Sequence, residues 1–295
     1  MKYYLGIDGG GTKTVAAVSD ENGNILHKQT GKTINFYSVG METARLNLLN
    51  LLTEIEQILS VESYESAFIG CSALDDEADA ALVTKLCGGI VKAENIRMNS
   101  DLYIALEALA DAKCPCVAVC GTGSMVVAKD TAGNIRTAGG WGHIIGDEGS
   151  AYAISVDAIR HCCNACDRGE VTPLLKSAER FFGVDNFRKA IDFIYSSDTT
   201  KDVLAGFSKS VYELAAHDDA CSCAIIKKQA QLFAHTVLNV LSGCDVLGLY
   251  GGVFQHNRYF ADIFSEKIKE QYPDIPVKLL DMPPEEGALM LARKM

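Results

Sequence analysis

The sequence predicts an α/β protein built as two halves of one architecture. Residues 3–29 spell strand, glycine turn, strand, turn, strand, and residues 117–138 spell the same order again. Around these two openings, apolar runs of strand length alternate with stretches whose apolar residues recur at helical spacing.

The first opening contains Ile7-Asp8-Gly9-Gly10-Gly11-Thr12-Lys13-Thr14, between the strands Tyr3 to Ile7 and Val15 to Val18. Three consecutive glycines between strands predict a hairpin whose backbone can take φ > 0 and whose amides lie bare. Converging bare amides make an anion-binding concavity. Asp8, closing the first strand, suits Mg²⁺ directly or through water, and the Thr12 hydroxyl suits a phosphate oxygen. Lys13 adds a cation. No GK[ST] follows and no helix begins here, so this is neither a Walker A loop nor a dinucleotide fingerprint. The plain alternative is a tight Gly-rich hairpin with an exposed acid.

Ile25 to Gln29 is the third strand, after the turn Glu21-Asn22-Gly23-Asn24, and residues 33–37 form a polar-aromatic loop. Leu48, Leu52, Ile55 and Leu59 stripe a helix from Met41 to Leu59. Ala67 to Cys71 is a strand, Asp75 to Cys87 a helix and Ile96 to Asn99 a strand. Ser100 caps a helix from Leu102 to Ala110. Asp111-Ala112-Lys113 is the expected boundary, giving domains of residues 1–113 and 114–295. The second opening then runs Val117 to Cys120, the turn Gly121-Thr122-Gly123-Ser124, Met125 to Lys129, and Ile135 to Ala138. Its glycine–hydroxyl turn is a second candidate phosphate hairpin. The stretch 139–150 holds five glycines, the single tryptophan, a histidine and two acids without a core-forming pattern, so it reads as a functional loop. Helices are expected over 151–167, 173–182, 187–194, 202–217, 220–241, 258–271 and 285–293, with strands at 245–250 and 277–280.

Composition narrows the function classes. A net charge of −11 argues against a nucleic-acid partner, which needs a basic face, but not against a nucleotide held in a local nest. No run is long and apolar enough for a membrane span, and Asp8 arrives before a signal-peptide core could form, so a cytoplasmic protein is expected. Eleven cysteines, an odd number scattered through a long chain, suggest reduced thiols.

Residues 8–14, Thr33-Ile34-Asn35, Ser100-Asp101, Gly121 to Ser124, Gly140-Trp141-Gly142-His143 through Ser150, Ala205-Gly206-Phe207 and Gly251-Gly252-Val253-Phe254 together resemble one family. It is the N-acetylglucosamine kinase and BadF/BadG/BcrA/BcrD ATPase group. The resemblance implies two duplicated ribonuclease-H-like domains around a cleft, the actin/Hsp70/sugar-kinase fold. It implies ATP and Mg²⁺ as cofactors, and an amino sugar, first N-acetylglucosamine, as the substrate phosphorylated, most often on its 6-hydroxyl. Gly10, Gly11, Thr12 and Lys13 match the first phosphate loop, with Asp8 at the metal, and Gly121, Thr122 and Gly123 match the second. Gly206, Gly251, Gly252 and His256 match nucleotide contacts. Asn35, Ser124, Gly140, Trp141, Gly142 and Asp147 match sugar contacts, and Met125 stands where many relatives carry a polar sugar-side residue. Asp101 matches the acid beside the accepted hydroxyl, hence the base; its plain alternative is a first-turn acid favoured by the helix dipole. A homodimer is also implied.

The resemblance leaves an alternative, an ATPase that activates a CoA-linked dehydratase or reductase by electron transfer, with an iron–sulfur cluster between subunits. Its branch should show cluster cysteines and lack the 140–150 loop. Here Cys162 and Cys166 extend a helix stripe and Cys116 and Cys120 follow a strand pattern, so the cysteines read as small core hydrophobes. His143 is expected to structure the loop. A sugar sensor without turnover finds no helix-turn-helix or basic segment to support it.

Overall fold

A computed structural model describes residues 2–74 and 76–295. The chain forms two compact units, residues 1–111 with 281–295, and residues 112–280. Each has a five-stranded mixed sheet of the same topology. In the first unit β1 (Tyr3–Gly9), β2 (Lys13–Asp20), β3 (Ile25–Lys32), β4 (Tyr64–Cys71) and β5 (Ala93–Asn99) lie in the order β3-β2-β1-β4-β5. In the second, β6 (Pro115–Cys120), β7 (Ser124–Lys129), β8 (Ile135–Gly139), β9 (Val246–Tyr250) and β10 (Val277–Leu279) lie in the order β10-β9-β6-β7-β8. Both sheets begin with an antiparallel meander, and both add two parallel strands on the other side of the first strand. Parallel neighbours need crossovers, which the helices supply.

The repeat reaches individual atoms. Asp20-Glu21-Asn22-Gly23-Asn24-Ile25 and Asp130-Thr131-Ala132-Gly133-Asn134-Ile135 turn the second strand into the third in each unit. The Asp20 carboxylate accepts from Asn22 N, Asn24 N and Asn24 Nδ2, each at 2.9 Å. The Asp130 carboxylate accepts from Ala132 N, Asn134 N and Asn134 Nδ2 at the same 2.9 Å. These are Asx turns, in which a short side chain stands in for backbone.

Helix bounds agree with the sequence reading where the apolar stripe is long, at Met41–Leu59, Ala151–Asp167 and Pro173–Phe182. Elsewhere local chemistry intervenes. The expected helix from Asp75 to Cys87 spans Ala80–Cys87, because the Asp79 carboxylate caps the Leu82 amide; Asp75 lies outside the described residues. The Leu102 to Ala110 helix is α-helical over Asp101–Ala105 and 3₁₀ over Leu106–Leu109, with Ser100 as its cap. Phe187–Lys189 is likewise 3₁₀ before the helix Ala190–Ile194. The 202–217 helix is two, Lys201–Ala205 and Ser208–Ala215, broken where Phe207 inserts into a buried cluster with Phe181 and Phe182. The expected 33–37 loop is the Asn35 cap of a short helix, Phe36–Val39.

The helix Pro284–Arg293 corrects the expected boundary. A cut at residue 113 assigns it to the second half, yet it packs on β1 and β4 of the first unit. Glycines permit the approach. A Cβ on Gly6 would lie 2.4 Å from Leu289 N, and one on Gly287 would lie 2.4 Å from Ile104 O. Lys28 pairs with Glu285 at 3.0 Å and Glu286 at 2.6 Å, and Lys294 pairs with Glu107.

Candidate functional site

On the first unit the functional side chains gather at the C-terminal ends of β1 and β4. Asp8 on β1 pairs in register with Gly70 on β4. A Cβ on Gly70 would meet Ile104 Cδ1 at 2.6 Å and the Asp101 Cα at 3.2 Å. Bare Gly70 therefore lets the Ser100-capped helix begin directly over the strand end, which brings Asp101 toward Asp8. Sequence reasoning missed Gly70; a lone glycine inside a strand, marking close backbone approach, was the available signal.

Both carboxyls are half-buried, and neither makes a salt bridge among the described residues. Loss of hydration raises Asp8 to about 7, with the neighbouring charges of Asp101 and Glu285 adding to the rise and Lys13 opposing it. Loss of hydration likewise raises Asp101 to about 6, against the pull of its own and the Leu102 backbone amides. Two dehydrated acids, one of which raises the other's affinity for protons, suit a hard divalent cation. Mg²⁺ typically takes one or two carboxylates and completes its shell with water and phosphate. Asp8, opening the glycine turn, is a carboxylate of the kind that requirement calls for.

The shifts also bear on stability. Between about pH 4 and about pH 7 the folded carboxyls hold protons that the unfolded chain has released, so stability falls as pH rises through that window. Asp8→Asn and Asp101→Asn should each melt a few degrees above the wild type at pH 8 in metal-free buffer, with the advantage gone at pH 4. Equal melting temperatures at both pH values in calorimetry would refute this.

The first glycine turn departs from expectation. None of Gly9, Gly10 and Gly11 has positive φ. Gly9 is the last residue of β1, and its glycine is needed for space, since a Cβ would lie 2.6 Å from Ile34 Cγ1. Gly10 O accepts from Thr33 Oγ1 at 2.7 Å and Gly9 O from Ser72 N at 2.9 Å, so the turn is braced from both sides. Thr12 and Lys13 lead into β2. The Asn35 side chain accepts from Tyr37 N and Ser38 N and donates to Ser72 Oγ at 3.0 Å, so Ser72 joins this group.

On the second unit Gly121, Thr122, Gly123 and Ser124 turn between β6 and β7. Gly121 N donates to Gly123 O at 2.9 Å, and Gly121 O accepts from Ala151 N at 2.9 Å, tying the turn to the start of the Ser150-capped helix. Gly121 and Gly123 also lack positive φ. The amides of Thr122 and Gly123 have no acceptor among the described residues. Asp147 is buried in a left-handed conformation, φ 63°. Its Oδ1 accepts from Ser124 N at 3.2 Å, and its Oδ2 pairs with Lys201 Nζ at 2.6 Å. Ser124 Oγ donates to Glu148 O at 2.7 Å. Lys201 is a second residue that sequence reasoning missed, since it lies 54 positions from its partner.

In the loop, Gly140 and Gly142 have positive φ, and Gly146 N closes on Gly142 O at 2.8 Å. Trp141, Ile144 and Ile145 stand at least 74% exposed, an apolar surface offered to solvent. His143 packs edge-on against Tyr152 with ring centroids 4.9 Å apart. Met125 lies against Gly140, where a Cβ would meet its Sδ at 2.4 Å, so this side chain props the loop. Gly206 ends the Lys201–Ala205 helix. Gly251 starts the short helix Gly252–His256 at φ 106°, and exposed His256 lies at the far end of that helix. All eleven cysteines are free, and five of them are buried in the cores.

Three full-length comparisons bear on this geometry. The chain is 30% identical to the N-acetylmuramic acid/N-acetylglucosamine kinase of Clostridium acetobutylicum, over 99% of each chain. It is 28% identical to the N-acetyl-D-glucosamine kinase of Dictyostelium discoideum, over 98% of this chain and 97% of that one. A solved structure from Chromobacterium violaceum, provisionally named an N-acetylglucosamine kinase, superposes with TM-score 0.78 at 21% identity over 99% of both chains, which fixes the fold. The model of the BadF/BadG/BcrA/BcrD ATPase family matches residues 5–292, and the chain belongs to that family.

Proposed function

We propose that this protein is an ATP-dependent amino-sugar kinase, with N-acetylglucosamine as its first substrate and the 6-hydroxyl as the acceptor. The observation that carries the reading is the carboxyl pair Asp8 and Asp101 beside a braced glycine turn, in a chain similar from end to end to two named amino-sugar kinases.

A sugar hydroxyl is a weak acid and a poor nucleophile. Asp101, with its pKa raised to about 6, is charged at neutral pH yet basic enough to orient that hydroxyl and take its proton. Phosphoryl transfer otherwise demands position and charge compensation. Bound Mg²⁺ supplies charge compensation on the triphosphate, and Asp8 is the carboxylate that holds it, directly or through water. On the first unit Gly10, Gly11, Thr12 and Lys13 receive phosphate oxygens, and Asn35 receives a sugar hydroxyl. On the second unit the amides of Thr122 and Gly123 receive phosphate, while Gly206, Gly251, Gly252 and His256 line the nucleoside. Ser124, Gly140, Trp141, Gly142 and Asp147 contact the sugar, and Met125 sets the loop against which it rests. Asp147 uses two of its roughly four acceptor positions internally and keeps two for hydroxyls. Eleven free thiols suit a reducing compartment, and we place the enzyme in the cytoplasm.

The test is ADP release across N-acetylglucosamine, N-acetylmuramic acid, glucosamine and glucose, with the product's phosphate position read by NMR. The expected result is sugar-dependent ADP release, strongest on an N-acetylated sugar. ADP release indifferent to every sugar, in protein carrying stoichiometric iron, would replace the reading with the electron-transfer alternative.

A further inference from the structure

The second glycine turn carries an acid where a phosphate loop should repel one. Asp147 is fixed beside it by Ser124 N at 3.2 Å, and a Cβ on Gly123 would lie 3.0 Å from Asp147 Oδ2. A buried carboxylate at that position opposes an arriving polyphosphate unless a cation accompanies it. Lys201 is that cation. Its Nζ sits 2.6 Å from Asp147 Oδ2 and 2.8 Å from where a Gly123 Cβ would stand, so the ammonium occupies the space directly over the bare turn. The Lys201 side chain is 29% exposed against 5% for Asp147, so the pair shows solvent its positive end. An ammonium carries three donors, and the ion pair engages one. Lys201 also begins the short helix that Gly206 ends, and Thr200 caps it through the Val203 amide, so its backbone is anchored.

We propose that Lys201 is a phosphate-binding residue of the second glycine turn, held over the Thr122 and Gly123 amides by Asp147 and aimed at a non-adenosine-linked phosphate of ATP. The inference rests on the kinase reading of that turn. Lys201 thus does two things: it neutralises the acid of the sugar loop, and it adds a charged donor to a turn whose other donors are neutral amides. Charge-assisted contacts are roughly twice as strong as neutral ones.

The experiment is calorimetric titration of an imido analogue of ATP, and of AMP, into the full-length protein with Mg²⁺ and without sugar. Lys201→Met should weaken the analogue by about 10- to 100-fold, the range for one charged hydrogen bond, and AMP by less than about threefold. Lys201→Arg should recover most of the analogue's affinity. A purely structural ion pair predicts instead that the two nucleotides weaken together, which would overturn the proposal, as would an unchanged affinity for the analogue. Should the methionine variant not fold, Lys201→Gln removes the charge while keeping a donor for Asp147, and the same two outcomes decide. A wild-type protein that binds no analogue overturns the kinase reading itself. A wild type that binds analogue and phosphorylates sugar, beside a variant with an unchanged analogue-to-AMP ratio, overturns this inference alone.

Discussion

Asp101→Asn should lower kcat by about 10² to 10⁴, the usual contribution of a positioned general base, while sugar affinity measured without nucleotide stays nearly unchanged. Asparagine keeps the shape and one acceptor oxygen but cannot take a proton. The wild-type kcat/KM should rise as pH climbs through about 6, because only the ionised carboxyl accepts the hydroxyl proton, and the variant should lose that limb. Asp147→Asn supplies the contrast. Its carboxylate is spent on binding, with Ser124 N and Lys201 already in place, so its loss should appear mainly as a higher KM for sugar, worth about 1.5 to 3 kcal/mol. Steady-state kinetics on both variants decides the assignment; the two profiles appearing in exchanged order would exchange the roles.

The largest structural effect is expected within a pair of adjacent glycines. A Cβ on Gly251 would lie 2.4 Å from the Cys120 carbonyl oxygen, and the residue sits at φ 106°, outside the range that side chains tolerate. Both obstacles are backbone, so neither can swing aside. Gly251→Ala should cost about 3 kcal/mol or more, seen as insoluble protein or a collapsed melting temperature, because it pushes the β9 turn off the end of β6. Gly252 has only His256 Cδ2 near its missing Cβ, at 3.7 Å, and it stands in the first turn of a helix. Gly252→Ala should leave stability within about 1 kcal/mol of wild type or raise it. Thermal melts of the two alanine variants test the pair, and equal melting would show that the close approach at Cys120 O imposes no constraint.

What the sequence revealed and what it hid divide along range. The two glycine turns, the meanders beside them and the long amphipathic helices are encoded within windows of a few residues, and they were legible. The break at Gly206 and Phe207 was not, because helical periodicity runs through it; only a buried aromatic cluster drawn from elsewhere in the chain interrupts it. The glycine triplet is legible as a turn, but what requires Gly9 is not: it serves close packing by Ile34 rather than a left-handed backbone. Asp101 is legible as a capped acid, yet its elevated pKa comes from burial that only the fold supplies, and its charge bears on Asp8, 93 residues earlier, across the bare edge of Gly70. Lys201 had no local mark at all. Its significance comes from a partner in a loop that only the folded second unit brings near.

The return of Pro284–Arg293 to the first unit gives the protein an order of completion. A ribosome delivers all of residues 112–280 before it delivers 281–295. Domains generally fold as units while synthesis proceeds, the earlier ahead of the later. Here the second unit is whole first. Until the last segment emerges, the faces of β1 and β4 that receive Leu289, Ala288 and Ala292 are covered only in part, by Tyr103 and Ile104, and Glu285 is missing from beside Asp8. The nascent first unit therefore waits on its own distant tail, and the acid pair takes on its final electrostatic surroundings only when translation has passed beyond the second unit.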